Sequence, residues 1–160
     1  MATGKTAVGR ELATRLGRRL FDTDQLIEKQ AGLSIPQIFK RYGEEHFRDL
    51  ESRVIATLGG YPSGELVVST GGGAVIREVN RQFFFQWGIV ILLTASEEAI
   101  LERVQKTGGR PLLAGGREKE KIASLWGERR SYYQQCHLEI DTTGRQSQEV
   151  AQEIVRLLGF

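Results

Sequence analysis

The chain has 160 residues, 40% of them hydrophobic and 26% charged, as expected of a single soluble globular domain. Its 22 basic and 20 acidic side chains leave a net charge of only +2, so nothing points to a generic nucleic-acid surface. One cysteine, Cys136, excludes an internal disulfide and a cysteine-based zinc site and fits a reducing, cytoplasmic setting, and no apolar run reaches the roughly 18 residues needed to cross a bilayer.

The chain opens on a glycine-containing turn, Met1-Ala2-Thr3-Gly4-Lys5-Thr6, followed by a helical pattern with Val8, Leu12 and Leu16 on one face and Gly17 as its C-cap. Leu20-Phe21-Asp22 reads as a short buried strand, and Asp24 starts a helical segment. Pro36 suits a first helical turn, with Ile35, Ile38 and Phe39 on the buried side of a short helix. A longer helix is predicted over Glu44 to Leu58, with Phe47, Leu50, Val54 and Leu58 in register. Leu66-Val67-Val68-Ser69 is a β-type run that leads directly into Thr70-Gly71-Gly72-Gly73.

A helix is predicted from Arg77 to Trp87, then a buried strand over Ile89 to Leu93, then a helix starting at Ser96 and ending near Lys106. Residues 108 to 120, rich in glycine and charge, read as a mobile polar segment. Helix returns from about Lys121 to Gln135, followed by a last strand, Leu138 to Asp141, and an amphipathic helix, Ser147 to Leu158, with Val150, Ile154, Leu157 and Leu158 inward. Strands alternating with helices imply an α/β sandwich with a mostly parallel sheet, whose ligands sit at the carboxyl ends of the strands.

Gly4-Lys5-Thr6 before a helix matches the end of the phosphate-loop pattern G-x-x-x-x-G-K-[ST]. Backbone N–H groups at the helix start would hold phosphate oxygens, Lys5 would bridge the β- and γ-phosphates, and Thr6 would ligate Mg²⁺. The bland reading is a chance tripeptide. The pattern's first glycine and its feeding strand would fall before Met1, so the sequence is read as starting late. A missing central strand would leave its two neighbours with unpaired backbone groups.

Asp22-Thr23-Asp24 sets two carboxylates at a strand end, one suited to approach Mg²⁺ through water and the other to accept from a substrate hydroxyl. The alternative is that Thr23 or Asp24 merely caps a helix. Gly71-Gly72-Gly73 allows close approach of backbone to ligand, against the alternative of a loose turn. Arg48, Arg110 and Arg129 are candidates for two-pronged binding of carboxylate or phosphate, although a single arginine is more often a solvated surface residue.

In order along the chain, Gly4-Lys5-Thr6 with Gly9-Arg10, Phe21 to Asp24, Gly43 to Arg48 with Glu51, Thr70 to Gly73, Arg110-Pro111-Leu112-Leu113, and Glu128-Arg129 through Tyr132-Tyr133 resemble the shikimate kinase family over nearly the whole length. The resemblance implies a P-loop, nucleoside-monophosphate-kinase-like α/β sandwich with a parallel sheet. That sheet has five strands in the family, its first strand absent here. The resemblance also implies one domain over 1–160 and a moving lid near 108–120. It implies that Asp24, Arg48, Gly71, Gly72, Gly73 and Arg129 hold shikimate, with Glu51 orienting Arg48 and with Phe39 and Phe47 lining the pocket unless they are simply core. Asp22 and Thr6 would serve Mg²⁺. Ala2, Thr3, Gly4, Lys5, Thr6, Ala7 and Arg110 would bind ATP, and Arg103 or Lys106, with Arg145 and Gln146, would flank the adenine. Lys5, Asp24 and Arg110 would act in catalysis. The partners implied are ATP and shikimate, with no nucleic acid or membrane, and the chain acting as a monomer. A kinase for another acceptor, such as gluconate or a nucleoside monophosphate, and a non-catalytic nucleotide-binding module are the rival readings.

Overall fold

A computed structural model describes residues 2–62, 64–106 and 118–160. Helix α1 spans Lys5–Leu16 and ends on Gly17, which adopts φ 61° and closes the helix with its N–H on the carbonyls of Ala13 and Thr14. Strand β1 follows at Arg19–Asp22, then α2 at Thr23–Ala31 and α3 at Ile35–Thr57. Strand β2 is Leu66–Ser69, α4 Glu78–Trp87, β3 Ile91–Thr94 and α5 Glu97–Lys106. The order closes with α6 at Glu118–Tyr133, β4 at Leu138–Asp141 and α7 at Ser147–Leu158.

Several boundaries differ from the sequence reading for identifiable reasons. The two helices expected on either side of Gly43 are present within α3, broken by a kink at Gly43, which takes φ 83° and ψ 175°, a conformation that costs glycine little. Helix α2 begins one residue earlier than expected because Asp22, not Asp24, caps it: Asp22 Oδ1 accepts from the N–H groups of Asp24 and Gln25. Strand β3 starts at Ile91 rather than Ile89, and Ile89 is exposed. Helix α6 starts at Glu118, so the last three residues of the predicted lid are helical, while residues 108–117, Arg110 among them, lie outside the described residues. Leu157, expected inward, is 49% exposed, whereas Val150 and Ile154 are buried.

The strands form two parallel two-stranded sheets rather than one continuous sheet, β1 with β2 and β3 with β4. Helices α1 and α7 pack together across both. Their Val8, Leu12, Val150 and Ile154 share one apolar cluster with Leu93 of β3 and Ile140 of β4, and Val67 of β2 packs against it. Ile27, Ile38, Phe47 and Val54 make a second cluster between α2 and α3. Phe39 and Phe47, expected near a ligand, sit 4.7 Å apart in this second core. Among the described residues no helix is long and apolar enough to cross a membrane.

The carboxyl ends of both sheets meet at the turn before α1. Thr6 Oγ1 donates to Asp22 Oδ2 at 2.8 Å and lies 3.2 Å from Ser69 Oγ, which ties the turn to the ends of β1 and β2. Thr142, just past β4, donates from Oγ1 to the Thr3 carbonyl at 3.2 Å. The topology thus brings residues from four separated stretches to one end of the molecule, where a parallel α/β sheet places its ligands.

Candidate active site

The phosphate-loop residues form a tight concave turn. Ala2 and Gly4 both have positive φ, 52° and 86°, a pattern that turns successive backbone N–H groups toward one side. The first turn of α1 adds N–H groups that have no earlier helical turn to accept them, and its dipole favours an anion there. Thr3 Oγ1 is buried and has no hydrogen-bond partner among the described residues. A polar oxygen kept from water without a partner is costly, and a bound anionic group with its own donors or metal would relieve it. Arg103 donates to the Ala2 carbonyl and to both oxygens of Thr142, so this expected adenine neighbour braces the turn. Gln146 caps α7 just beyond Thr142, with its backbone N–H donating to Glu149.

Asp24, Arg48, Glu51 and the glycine loop converge beside the phosphate turn. Arg48 is buried and pairs with Glu51 at 2.7 Å, one helical turn on, and with Glu44 at 3.0 Å, one turn back. A Cβ at Gly73 would collide with the Arg48 guanidinium. At Gly71 a Cβ would lie 2.6 Å from Asp24 Oδ1 and 3.2 Å from Glu51 Oε1. The loop therefore touches the cation of Arg48 and the carboxyls of Asp24 and Glu51 through bare backbone, an approach that only glycine permits. Thr23 Oγ1 accepts from the Gly71 N–H at 3.2 Å, and Asn80 donates to the Ala74 carbonyl, so the loop is held from both sides.

Burial pushes the Glu51 carboxyl above its usual range, Arg48 and Arg129 pull it down, and the neighbouring Asp24 pushes it up. For Arg48 burial works against the charge, but Glu51 and Glu44 outweigh it and hold the guanidinium protonated. Arg129 on α6 is only 8% exposed and makes no hydrogen bond or salt bridge to the described residues, although it is close enough to act on the charge of Glu51. A buried guanidinium without an anionic partner is unstable unless a ligand supplies one. Arg48 pairs with Glu51, and Arg129 lies close enough to Glu51 to act on the same carboxyl.

The sequence reading missed two contacts in this region. Tyr133 Oη donates to the Gly72 carbonyl at 2.7 Å, and Arg81 stacks its guanidinium over Tyr132 while donating to the Val75 and Ile76 carbonyls. Both join α6, which carries Arg129, to the glycine loop. A tyrosine near the end of a helix gives no sequence signal for a bond to a carbonyl 61 positions earlier. Two predictions follow from this geometry. Replacing Gly73 with Ala should displace Arg48 and, with the substrate roles that the sequence resemblance implies, raise the acceptor KM by about 10- to 100-fold, the scale of losing a charge-assisted pair, while the ATP KM stays near wild type. Steady-state kinetics with each substrate varied in turn will show the split. Tyr133→Phe keeps the ring, which stacks on Trp126 at 5.4 Å, and deletes only the hydroxyl. It should raise the acceptor KM severalfold and cost about 1 kcal/mol of stability, measured by thermal melts beside the kinetics.

Comparison with known proteins gives the family. A family model described as shikimate kinase matches residues 1–159. A shikimate kinase of Geobacter sulfurreducens is 48% identical over 96% of this chain and 84% of its own length, and one of Geobacter metallireducens is 44% identical over 99% and 87%. Among solved structures, shikimate kinase from Acinetobacter baumannii in complex with shikimate superposes with a TM-score of 0.92 at 38% identity, covering 99% of this chain and 88% of that one. Shikimate kinase from Aquifex aeolicus matches at a TM-score of 0.81 and 33% identity, covering 99% and 91%. The parallel α/β fold is therefore that of a P-loop kinase, and the chain belongs to the shikimate kinase family of ATP-dependent phosphotransferases.

Proposed function

We propose that this chain transfers the γ-phosphoryl group of ATP to the 3-hydroxyl of shikimate, giving 3-phosphoshikimate and ADP. The observation that carries the reading is that two buried arginines, Arg48 paired with Glu51 and Arg129 with no hydrogen bond or salt bridge among the described residues, both act on Glu51, as does Asp24. Two guanidiniums suit a carboxylate, and a carboxylate side chain with the glycine backbone suits neighbouring hydroxyls. The Acinetobacter relative, whose structure holds shikimate, supports the same acceptor.

In this reading Arg48 and Arg129 grip the acceptor's carboxylate, and the backbone at Gly71, Gly72 and Gly73 closes over its ring. Asp24 orients the attacking hydroxyl and takes its proton as the oxygen bonds to the γ-phosphorus. The bond to the bridging oxygen of ADP breaks in the same displacement. Lys5 and the backbone of residues 2–7 hold the β- and γ-phosphates, with Arg103 and Gln146 toward the base. Arg110 remains the residue assigned to close over ATP. The hydroxyl of Thr6 and the carboxylate of Asp22, hydrogen-bonded at 2.8 Å, are hard oxygen donors that fit a hydrated magnesium ion brought in by the nucleotide. Such an ion would offset charge on the phosphates when bound. We read residues 1–160 as one domain acting as a cytoplasmic monomer without nucleic-acid or membrane partners.

The test is coupled ADP release with shikimate, gluconate and AMP as acceptors. Shikimate-dependent ADP formation is the expected result. Turnover with gluconate or AMP instead, or nucleotide binding without turnover on any acceptor, would overturn the assignment.

A further inference from the structure

Helix α6 carries Arg129, yet packing holds it weakly. Leu125, Trp126, Tyr132 and Tyr133 share the face of Arg129 at helical spacing. All four are at least partly exposed, and none joins an apolar cluster. Among the described side chains of α6 only Arg129 is buried. A few specific contacts must therefore fix where this guanidinium sits. Two of them lie one turn beyond it, at i+3 and i+4. The Arg81 guanidinium stands over the Tyr132 ring, 4.6 Å from its centre, and Tyr133 Oη donates to the Gly72 carbonyl.

Arg81 is itself fixed. Its Nη1 donates to the Val75 carbonyl at 2.6 Å and to the Ile76 carbonyl at 2.9 Å, which sets the plane of the guanidinium. The next residue, Arg77, starts α4 and pairs with Asp49 at 2.8 Å and with Glu45, both on α3. Helix α3 also carries Arg48. A continuous run of contacts thus leads from the helix of Arg48, through Arg77 and Arg81, to Tyr132 on the helix of Arg129. A side chain serving only the start of α4 would need the two carbonyls and not the ring.

We propose that Arg81 is a positioning residue for the acceptor: by holding Tyr132 it docks α6 on the glycine loop and sets the place of Arg129. The grip on the acceptor's carboxylate then depends on a residue that never touches it. The kinetic consequence deepens the proposed acceptor assignment and rests on it, whereas the docking does not. Because α6 is weakly packed, losing the stack leaves only part of the population docked. The apparent acceptor affinity falls with that fraction. The nucleotide, assigned to residues 2–7 and the Thr6–Asp22 pair, is untouched.

Arg81→Gln should raise the acceptor KM about 5- to 10-fold, the scale of one cation–π contact, with the ATP KM within about twofold of wild type. Tyr132→Leu should match it, and Tyr132→Phe, which keeps the ring face, should stay near wild type. The double variant, Arg81→Gln with Tyr132→Leu, should be no worse than either single change. Amide hydrogen exchange without ATP or acceptor should quicken about 5- to 10-fold at residues 126–133 in Arg81→Gln and hold steady at 91–94 and 138–141. Additive losses in the double variant, a full loss in Tyr132→Phe, or an equal rise in the ATP KM would overturn the proposal. So would unchanged exchange in α6, or equal acceleration in the strands, which would make Arg81 a prop of the whole fold. If the wild type releases no ADP with shikimate, the acceptor assignment falls, and the exchange result decides the docking by itself.

Discussion

Asp24→Ala should lower turnover by about 100- to 10,000-fold, the range for loss of a positioned general base, while ATP binding changes by no more than about twofold. Two features make this clean. Asp24 lies in the first turn of α2, where its charge favours the helix by only about 0.3–1 kcal/mol, so the fold should survive the change. It also raises the proton affinity of buried Glu51, so removing it relieves a like-charge contact instead of opening one. Nucleotide contacts are assigned to residues 2–7 and Thr6–Asp22, which do not use the Asp24 side chain. Asp24→Asn divides the two roles given to this residue. If orientation of the hydroxyl dominates, Asn should keep much of the rate; if proton acceptance dominates, Asn should fall as far as Ala. A wild-type rate in the Ala variant removes Asp24 from the mechanism, and a parallel loss of ATP binding would mean that the turn had been disturbed.

The convergence of these residues could be read in part before any coordinates. Lys5, Thr6, Asp22 and Asp24 stand beside runs whose periodicity marks a helix or a strand, so their place at strand ends follows from the element order. The Arg48–Glu51 pair follows from helical spacing alone, and so would Arg48–Glu44 at the opposite turn. Three adjacent glycines forecast a close approach, though not that the neighbours would be Arg48 and Asp24. What could not be read depends on distances between elements. Nothing local says that Asp22 rather than Asp24 caps α2, because both are good caps and the choice turns on where β1 ends. The bond from Tyr133 to Gly72 and the proximity of Arg129 to Glu51 join α6 to loops far behind it in sequence, and no pattern of period two or 3.6 encodes them. Phe39 and Phe47 could not be placed for the same reason: an aromatic beside a binding arginine has the same sequence signature whether it faces ligand or core, and here Phe47 is buried in the second cluster with the Arg48 guanidinium over its ring, while Phe39 packs against that cluster partly buried.

Arg48→Ala should cost both binding and stability, and the two losses can be separated. The substitution leaves the Glu51 carboxylate, which is 1% exposed, without its 2.7 Å partner. Removing one member of a buried pair costs about 3–5 kcal/mol, a fall in Tm on the order of 10 °C for a domain of this size. The penalty must depend on pH, and its sign is fixed. Burial already raises the folded-state pKa of Glu51, and losing Arg48 raises it further. A carboxyl that binds its proton more tightly when folded is most stabilising in the protonated form. The Arg48→Ala variant should therefore be least impaired below the ordinary glutamate value of about 4.3. It should lose stability progressively as pH rises from there through the raised folded value, whereas wild type, with Arg48 in place, should lose less. Adding Glu51→Gln removes the buried charge and should restore most of the lost Tm at neutral pH while flattening its pH dependence. It cannot restore the guanidinium, so the acceptor KM should stay elevated in the double variant while the ATP KM is unchanged. Thermal melts across pH on the two variants, with kinetics at one pH, decide the matter. If the second substitution also rescued acceptor binding, Arg48 would be a scaffold for α3 and Arg129 alone would hold the acceptor's carboxylate.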